Sequence, residues 1–127
     1  MTEYTPETGP NTPLINAWTA LWNGDLTIAH RACADHVTVR FGALGISVEG
    51  DRISTPTDLA KVVETFRASR DGLTYSVIES HTSEHWGHCI WEATTRDRVV
   101  GGIDTFVFDG GRISRVHSVT AERSLRD

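Results

Sequence analysis

From Leu73 to Ala121 the chain alternates apolar and polar residues with only three short interruptions, and no other feature narrows the fold as much. Leu73, Tyr75 and Val77 open a run that continues to about Thr82. A turn around Ser83 to His85 leads into Gly87–Thr95, and Arg96-Asp97 turns the chain into Val99–Phe108. Asp109-Gly110-Gly111 is a hairpin sequence, because glycine accepts the positive φ of a tight turn, and Arg112–Ala121 closes the series. Long strands joined in this way form an antiparallel meander.

The first half reads differently. Thr12-Pro13 resembles a helix cap followed by a first-turn proline, and Leu14, Trp18, Leu21 and Trp22 recur at helical spacing until Asn23-Gly24. Asp25 caps a second short helix to about Ala34, with Leu26, Ala29 and Cys33 on one stripe. Val37, Val39 and Phe41 then alternate as a strand. Gly42, Gly45 and Gly50 predict a bent, irregular connection. Thr55-Pro56 with Asp58 has the form of a capping box, and Leu59, Val62, Val63 and Phe66 make the buried stripe of a third helix ending near Asp71-Gly72. Residues 1–11 read as a flexible lead-in and 12–127 as a single α+β domain.

Composition removes several function classes. The chain has 127 residues, 39% of them hydrophobic and 23% charged, enough for one continuous core. Its net charge is −5 and Lys61 is the only lysine, which argues against nucleic acid as a partner. No apolar run approaches the roughly 20 residues of a membrane helix. Met1–Pro10 is too polar for a signal peptide, so the expected location is the cytoplasm. Cys33 and Cys89 are too far apart for a CxxC motif and read as reduced, partly buried thiols. His81-x3-His85 would suit a metal only on a helix, and this stretch reads as strand and turn. Neither metal nor cofactor is expected.

The two-residue period puts Val100, Gly102, Asp104, Phe106 and Phe108 on one face. A carboxyl on so apolar a face is desolvated, which favours its neutral form and suits it to donate a proton or a hydrogen bond near neutral pH. A buried aspartate that only satisfies backbone donors or an arginine is the alternative. If the strands pair across Arg96-Asp97, Cys89, Trp91 and Ala93 lie opposite Asp104, Gly102 and Val100, with Gly101 and Gly102 leaving room for the Trp91 ring. Trp91 then fits either core or pocket wall, and Tyr75 brings its hydroxyl to the cavity or to the rim. His88, His117 and Arg40 alternate outward. Ile90, Glu92, Ile103 and Val107 form an outer face suited to a second copy.

Gly24-Asp25-Leu26, Ala34-Asp35-His36-Val37-Thr38-Val39 and above all Gly102-Ile103-Asp104-Thr105-Phe106-Val107-Phe108-Asp109-Gly110-Gly111-Arg112-Ile113 resemble, in this order, the nuclear transport factor 2-like superfamily. The branch most similar is that of SnoaL-like polyketide cyclases and ketosteroid isomerases. The resemblance covers about Leu14 to Ala121. It implies a cone-shaped, curved antiparallel sheet with three helices packed on its concave side, a homodimer, and proton-transfer chemistry on polycyclic or polyketide-derived substrates. It also assigns Asp104 to the position of the isomerases' protonated aspartate, a pattern already familiar from ketosteroid isomerase. The isomerases' general base falls on Phe41, and their helix-one tyrosine falls at about Ala17, beside Trp18. The last-strand acid of limonene epoxide hydrolases falls on Ser118. The resulting expectation is isomerisation or cyclisation with Asp104 catalytic and Phe41, Tyr75, Cys89, Trp91, Phe106, Ser118 and Trp18 around a small apolar substrate. A ligand-binding protein without chemistry and a dimeric assembly module are the alternatives.

Overall fold

The computed structural model describes residues 7–127, and side chains from Gly9 onward. Along the chain run β1 (Glu7–Thr8), α1 (Thr12–Trp22), α2 (Ile28–Ala32), β2 (Cys33–Phe41), α3 (Leu44–Asp51), α4 (Pro56–Ala68), β3 (Thr74–Thr82), β4 (Trp86–Thr94), β5 (Val99–Asp109) and β6 (Arg112–Thr120). These strands form one sheet in the order β1-β3-β4-β5-β6-β2. The meander is antiparallel throughout, and the Arg96-Asp97 turn sets the predicted register, with Cys89 opposite Asp104 and Trp91 opposite Gly102. Gly110 and Gly111 both adopt positive φ in the last hairpin.

The α+β class holds, with four differences in detail. The sheet is mixed, because β2 runs parallel to β6 and β1 parallel to β3. The second helix stops at Ala32, since Cys33 already pairs with Ile113. The glycine-rich stretch after Phe41 folds into a fourth helix, α3. It has no apolar stripe to read: Leu44 and Val48 face solvent, and Ile46 and Gly50 are its buried residues. Gly50 is held against the Phe41 ring so closely that a Cβ there would lie 2.3 Å from Cδ2. Finally, part of the expected lead-in is structured. Glu7 and Thr8 pair with Ser80 and His81, while residues 1–6 lie outside the described residues.

The chemistry of the helix ends fixes where α1 sits. Asn11, not Thr12, precedes the helix, and its amide donates to the carbonyls of Ser83 and Glu84 at 2.9 and 3.0 Å. At the other end, Asn23 donates to Tyr75 O and accepts from Tyr75 N at 2.9 and 2.7 Å. The two asparagines thus clamp α1 along β3, which sends Ile15, Trp18, Leu21 and Trp22 into the core. For α4, the Thr55–Asp58 capping box forms as the sequence predicts. Register shifts in β3 after Val77, between β5 and β6 after Val107, and between β2 and β6 bend the strands around the helices. Among the described residues, no helix is long and apolar enough to cross a membrane.

Candidate active site

Asp104 sits in the middle of β5, with Cys89 beside it on β4 and Ser118 on β6. Its side chain enters the space beneath α1 and is 5% exposed. The Trp18 indole donates to Oδ2 at 3.0 Å and the Trp91 indole donates to Oδ1 at 2.9 Å. An indole N–H can only donate, so both carboxyl oxygens are occupied as acceptors. Burial pushes the Asp104 pKa above the usual carboxylate range, and outweighs the hydrogen bonds from Ser118, Trp91 and Trp18 that favour the anion. A proton on this carboxyl has the Ser118 hydroxyl or the adjoining cavity to point at.

That cavity has a volume of about 330 Å³. Of the residues expected around a substrate, Trp18, Phe41, Tyr75, Cys89, Trp91 and Ser118 line it together with Asp104. Phe106 does not. It shares the Asp104 face of β5 but lies nearer the hairpin, covered edge-on by Trp18 at 5.8 Å and stacked on Phe108 at 5.9 Å, and belongs to the solid core. Gly102 makes room for Trp91 as expected, whereas Gly101 lies against the backbone of Arg123 and Leu125 in the C-terminal segment.

The walls hold groups that the sequence reading left in the core or did not single out. Trp22 packs edge-to-face on Phe41 and Phe66 at 5.7 and 5.6 Å, and near Tyr75 at 5.8 Å. Its buried Nε1 has no conventional acceptor among the described residues. The surrounding ring faces are weak acceptors for such a donor. Both Trp22 and Phe66 stood on apolar stripes, so the available signal was their size and facing. Arg70 and Arg98 also line the cavity, and nothing in the periodicity marks them.

Burial pushes the Tyr75 hydroxyl and the Cys89 thiol far above their ordinary ranges, with Asp104 adding to both shifts. Cys33, outside the cavity, is pushed up to about 12. These groups stay protonated at neutral pH. His88 and His117 flank Thr105 on the opposite face of the sheet, and Arg40 forms an exposed ion pair with Asp51 at 3.1 Å. Among the described residues, no three His, Cys, Asp or Glu side chains converge as metal ligands. Exposed Trp86, Ile103 and Val119 lie on that outer face, where Ser124 and Arg126 bind Glu92.

The raised Asp104 pKa has a consequence for stability with a definite sign. In the unfolded chain the group ionises near pH ~3.9. In the folded chain it keeps its proton to higher pH. Between those values the native state binds more protons, so this contribution to stability is full at low pH and is lost as pH rises through the window. Asp58 and Glu92 have lowered pKa values and act in the opposite sense. The readout is therefore the difference between wild type and Asp104→Asn in chemical denaturation across that range. The wild type should lose stability relative to the variant as pH rises, and a flat difference would contradict the shift.

No protein-family model and no curated protein matches the sequence. Solved structures do match in fold. A candidate ketosteroid isomerase from Kribbella flavida DSM 17836 superposes with a TM-score of 0.72 at 16% identity, covering 92% of this chain and 82% of that one. A candidate polyketide cyclase from Bacillus cereus ATCC 10987 gives 0.73 at 12% identity over 94% and 87% of the two chains. IdmH, a candidate polyketide cyclase from Streptomyces antibioticus, gives 0.69 at 12% over 87% and 91%. The chain has the nuclear transport factor 2-like fold. At these identities the likeness establishes the fold alone.

Proposed function

We propose that the protein is an enzyme of proton transfer on a small, largely apolar carbonyl compound, isomerising or cyclising it, with Asp104 as its catalytic acid. The observation that carries this reading is a carboxyl at the buried end of an aromatic hollow, gripped at both oxygens by indole donors. Neutral Asp104 donates a hydrogen bond to the substrate carbonyl oxygen. As a proton leaves the adjacent carbon for water, charge moves onto that oxygen and the hydrogen bond strengthens, which lowers the barrier. The aromatic walls orient a flat ring system and exclude water from the oxygen. The names of the fold neighbours, cyclases and isomerases, agree with this chemistry. The reading requires no cofactor. It takes the molecule as a homodimer through the outer face that carries Trp86, Ile103 and Val119.

A second reading, binding without chemistry, is favoured by the neutral state of Tyr75 and Cys89, which leaves Asp104 without a partner base nearby. Hydrogen–deuterium exchange separates the two. Bicyclic enolisable ketones, 2-tetralone among them, are incubated with the protein in D2O and their α-protons followed by NMR. Binding is read in parallel from tryptophan quenching. Exchange faster than in matched buffer is expected. Ketones that quench the tryptophans but exchange at the buffer rate would establish a binding protein in place of an enzyme.

A further inference from the structure

The cavity has two chemically different ends. At the closed end lie buried Asp104, Cys89, Trp91 and Ser118, whereas Arg70, Arg98 and Glu122 are exposed lining residues and mark the opening. Arg70 follows α4, and Arg98 lies just before β5. The Arg70 guanidinium lies over the Phe66 ring, its Cζ 3.6 Å from the centroid, and Nη1 donates to Phe66 O and Ser69 Oγ at 3.1 and 3.0 Å. One edge of the fork is thereby fixed and the other left for a ligand, a pre-organised arrangement that loses little entropy on binding. Neither Arg70 nor Arg98 is within ion-pair distance of a carboxylate among the described residues, Glu122 included. A chain with a net charge of −5 thus places two guanidinium groups and one carboxylate around the entrance to an apolar hollow.

We infer that this rim recognises an anion, and that the natural ligand is an amphiphile. Its flat apolar body fills the aromatic walls, its carbonyl oxygen meets Asp104, and a carboxylate at the far end is held by Arg70 and Arg98. The planar carboxylate matches the guanidinium fork, whereas at the closed end it would lose its hydration with no cationic lining residue to pair it, so the molecule has one way to enter. The inference rests on the proposed function and adds the polarity of the substrate and its orientation. Arg70 and Arg98 act as specificity residues, distant from the reacting oxygen.

The test uses 2-naphthoate and 2-naphthamide, which share a ring system and nearly a shape but differ in charge. Both are titrated against the purified protein by quenching of intrinsic tryptophan fluorescence. At low ionic strength naphthoate should bind about tenfold more tightly, with the gap narrowing as salt screens the charges. The gap should close in an Arg70→Met/Arg98→Met double variant and persist in Asp104→Asn. Arg98→Met alone, which breaks no ion pair among the described residues, should narrow it even if the double variant folds poorly. Equal or tighter binding of the amide to wild type, or a gap that survives loss of both arginines or disappears with Asp104, overturns the anion-binding rim and leaves the proton-transfer reading intact. Failure of both compounds to bind overturns the aromatic ligand hollow, and the proposed function with it.

Discussion

Asp104→Ala is expected to reduce catalysed α-proton exchange by about 10²–10³-fold, the usual consequence of removing a donor aimed at a developing oxyanion. The group it removes has no substitute in the site. Ser118 is its neighbour on β6, but a hydroxyl is a weaker acid, and the Tyr75 and Cys89 protons are held by burial. Asp104→Asn is informative in a different way. An amide retains an N–H donor but has one oxygen in place of two, so either Trp18 or Trp91 must face an NH2 group. The asparagine variant should therefore also lose exchange activity, by a smaller factor if hydrogen bonding rather than acidity dominates. Thermal melting of both variants checks that the fold persists. Exchange undiminished in both removes Asp104 from the mechanism.

Gly102→Ala should damage the site without touching a polar group. A Cβ at this position would lie 2.0 Å from Cζ2 and 2.3 Å from Cε2 of Trp91, and neither the β5 backbone nor a packed indole can retreat so far without cost. Overpacking of this kind costs about 1–3 kcal/mol. The indole must slide, which breaks its 2.9 Å bond to Asp104 and disturbs its contact with Tyr75 at 5.4 Å. Stability and exchange activity should fall together. Trp91→Val vacates the space, so the alanine should cost far less in that background. Strictly additive losses in the double-mutant cycle would show that the ring and the glycine are not in conflict.

Much of this site is legible in the sequence. Alternation along β5, together with the Arg96-Asp97 turn, was enough to pair Asp104 with Cys89 and Gly102 with Trp91, because a two-residue period and a tight turn determine register between them. Alternation specifies a face and not a depth, which is why Phe106 was expected in the cavity and instead lies under Trp18. Helix α3 carries no periodic signal, its apolar Leu44 and Val48 being exposed, and its closest seat on the core is a glycine against Phe41. The bond from Trp18 to Asp104 depends on how α1 docks along β3; of the asparagines that dock it, Asn23 reads in sequence as an ordinary helix end and Asn11 as part of the lead-in. Arg70 and Arg98 both line the opening because two separate element ends converge there, and local pattern holds no record of that convergence.

The most direct test is the titration of the Asp104 carboxyl itself. With aspartate labelled at Cγ, the 13C resonance that disappears in Asp104→Asn identifies the group, and its chemical shift is followed against pH. A midpoint clearly above the ~3.9 of an ordinary aspartate is expected. A midpoint at or below that value would mean that the two indoles and Ser118 stabilise the anion more than burial penalises it, and that Asp104 enters neutral solution without the proton the mechanism requires.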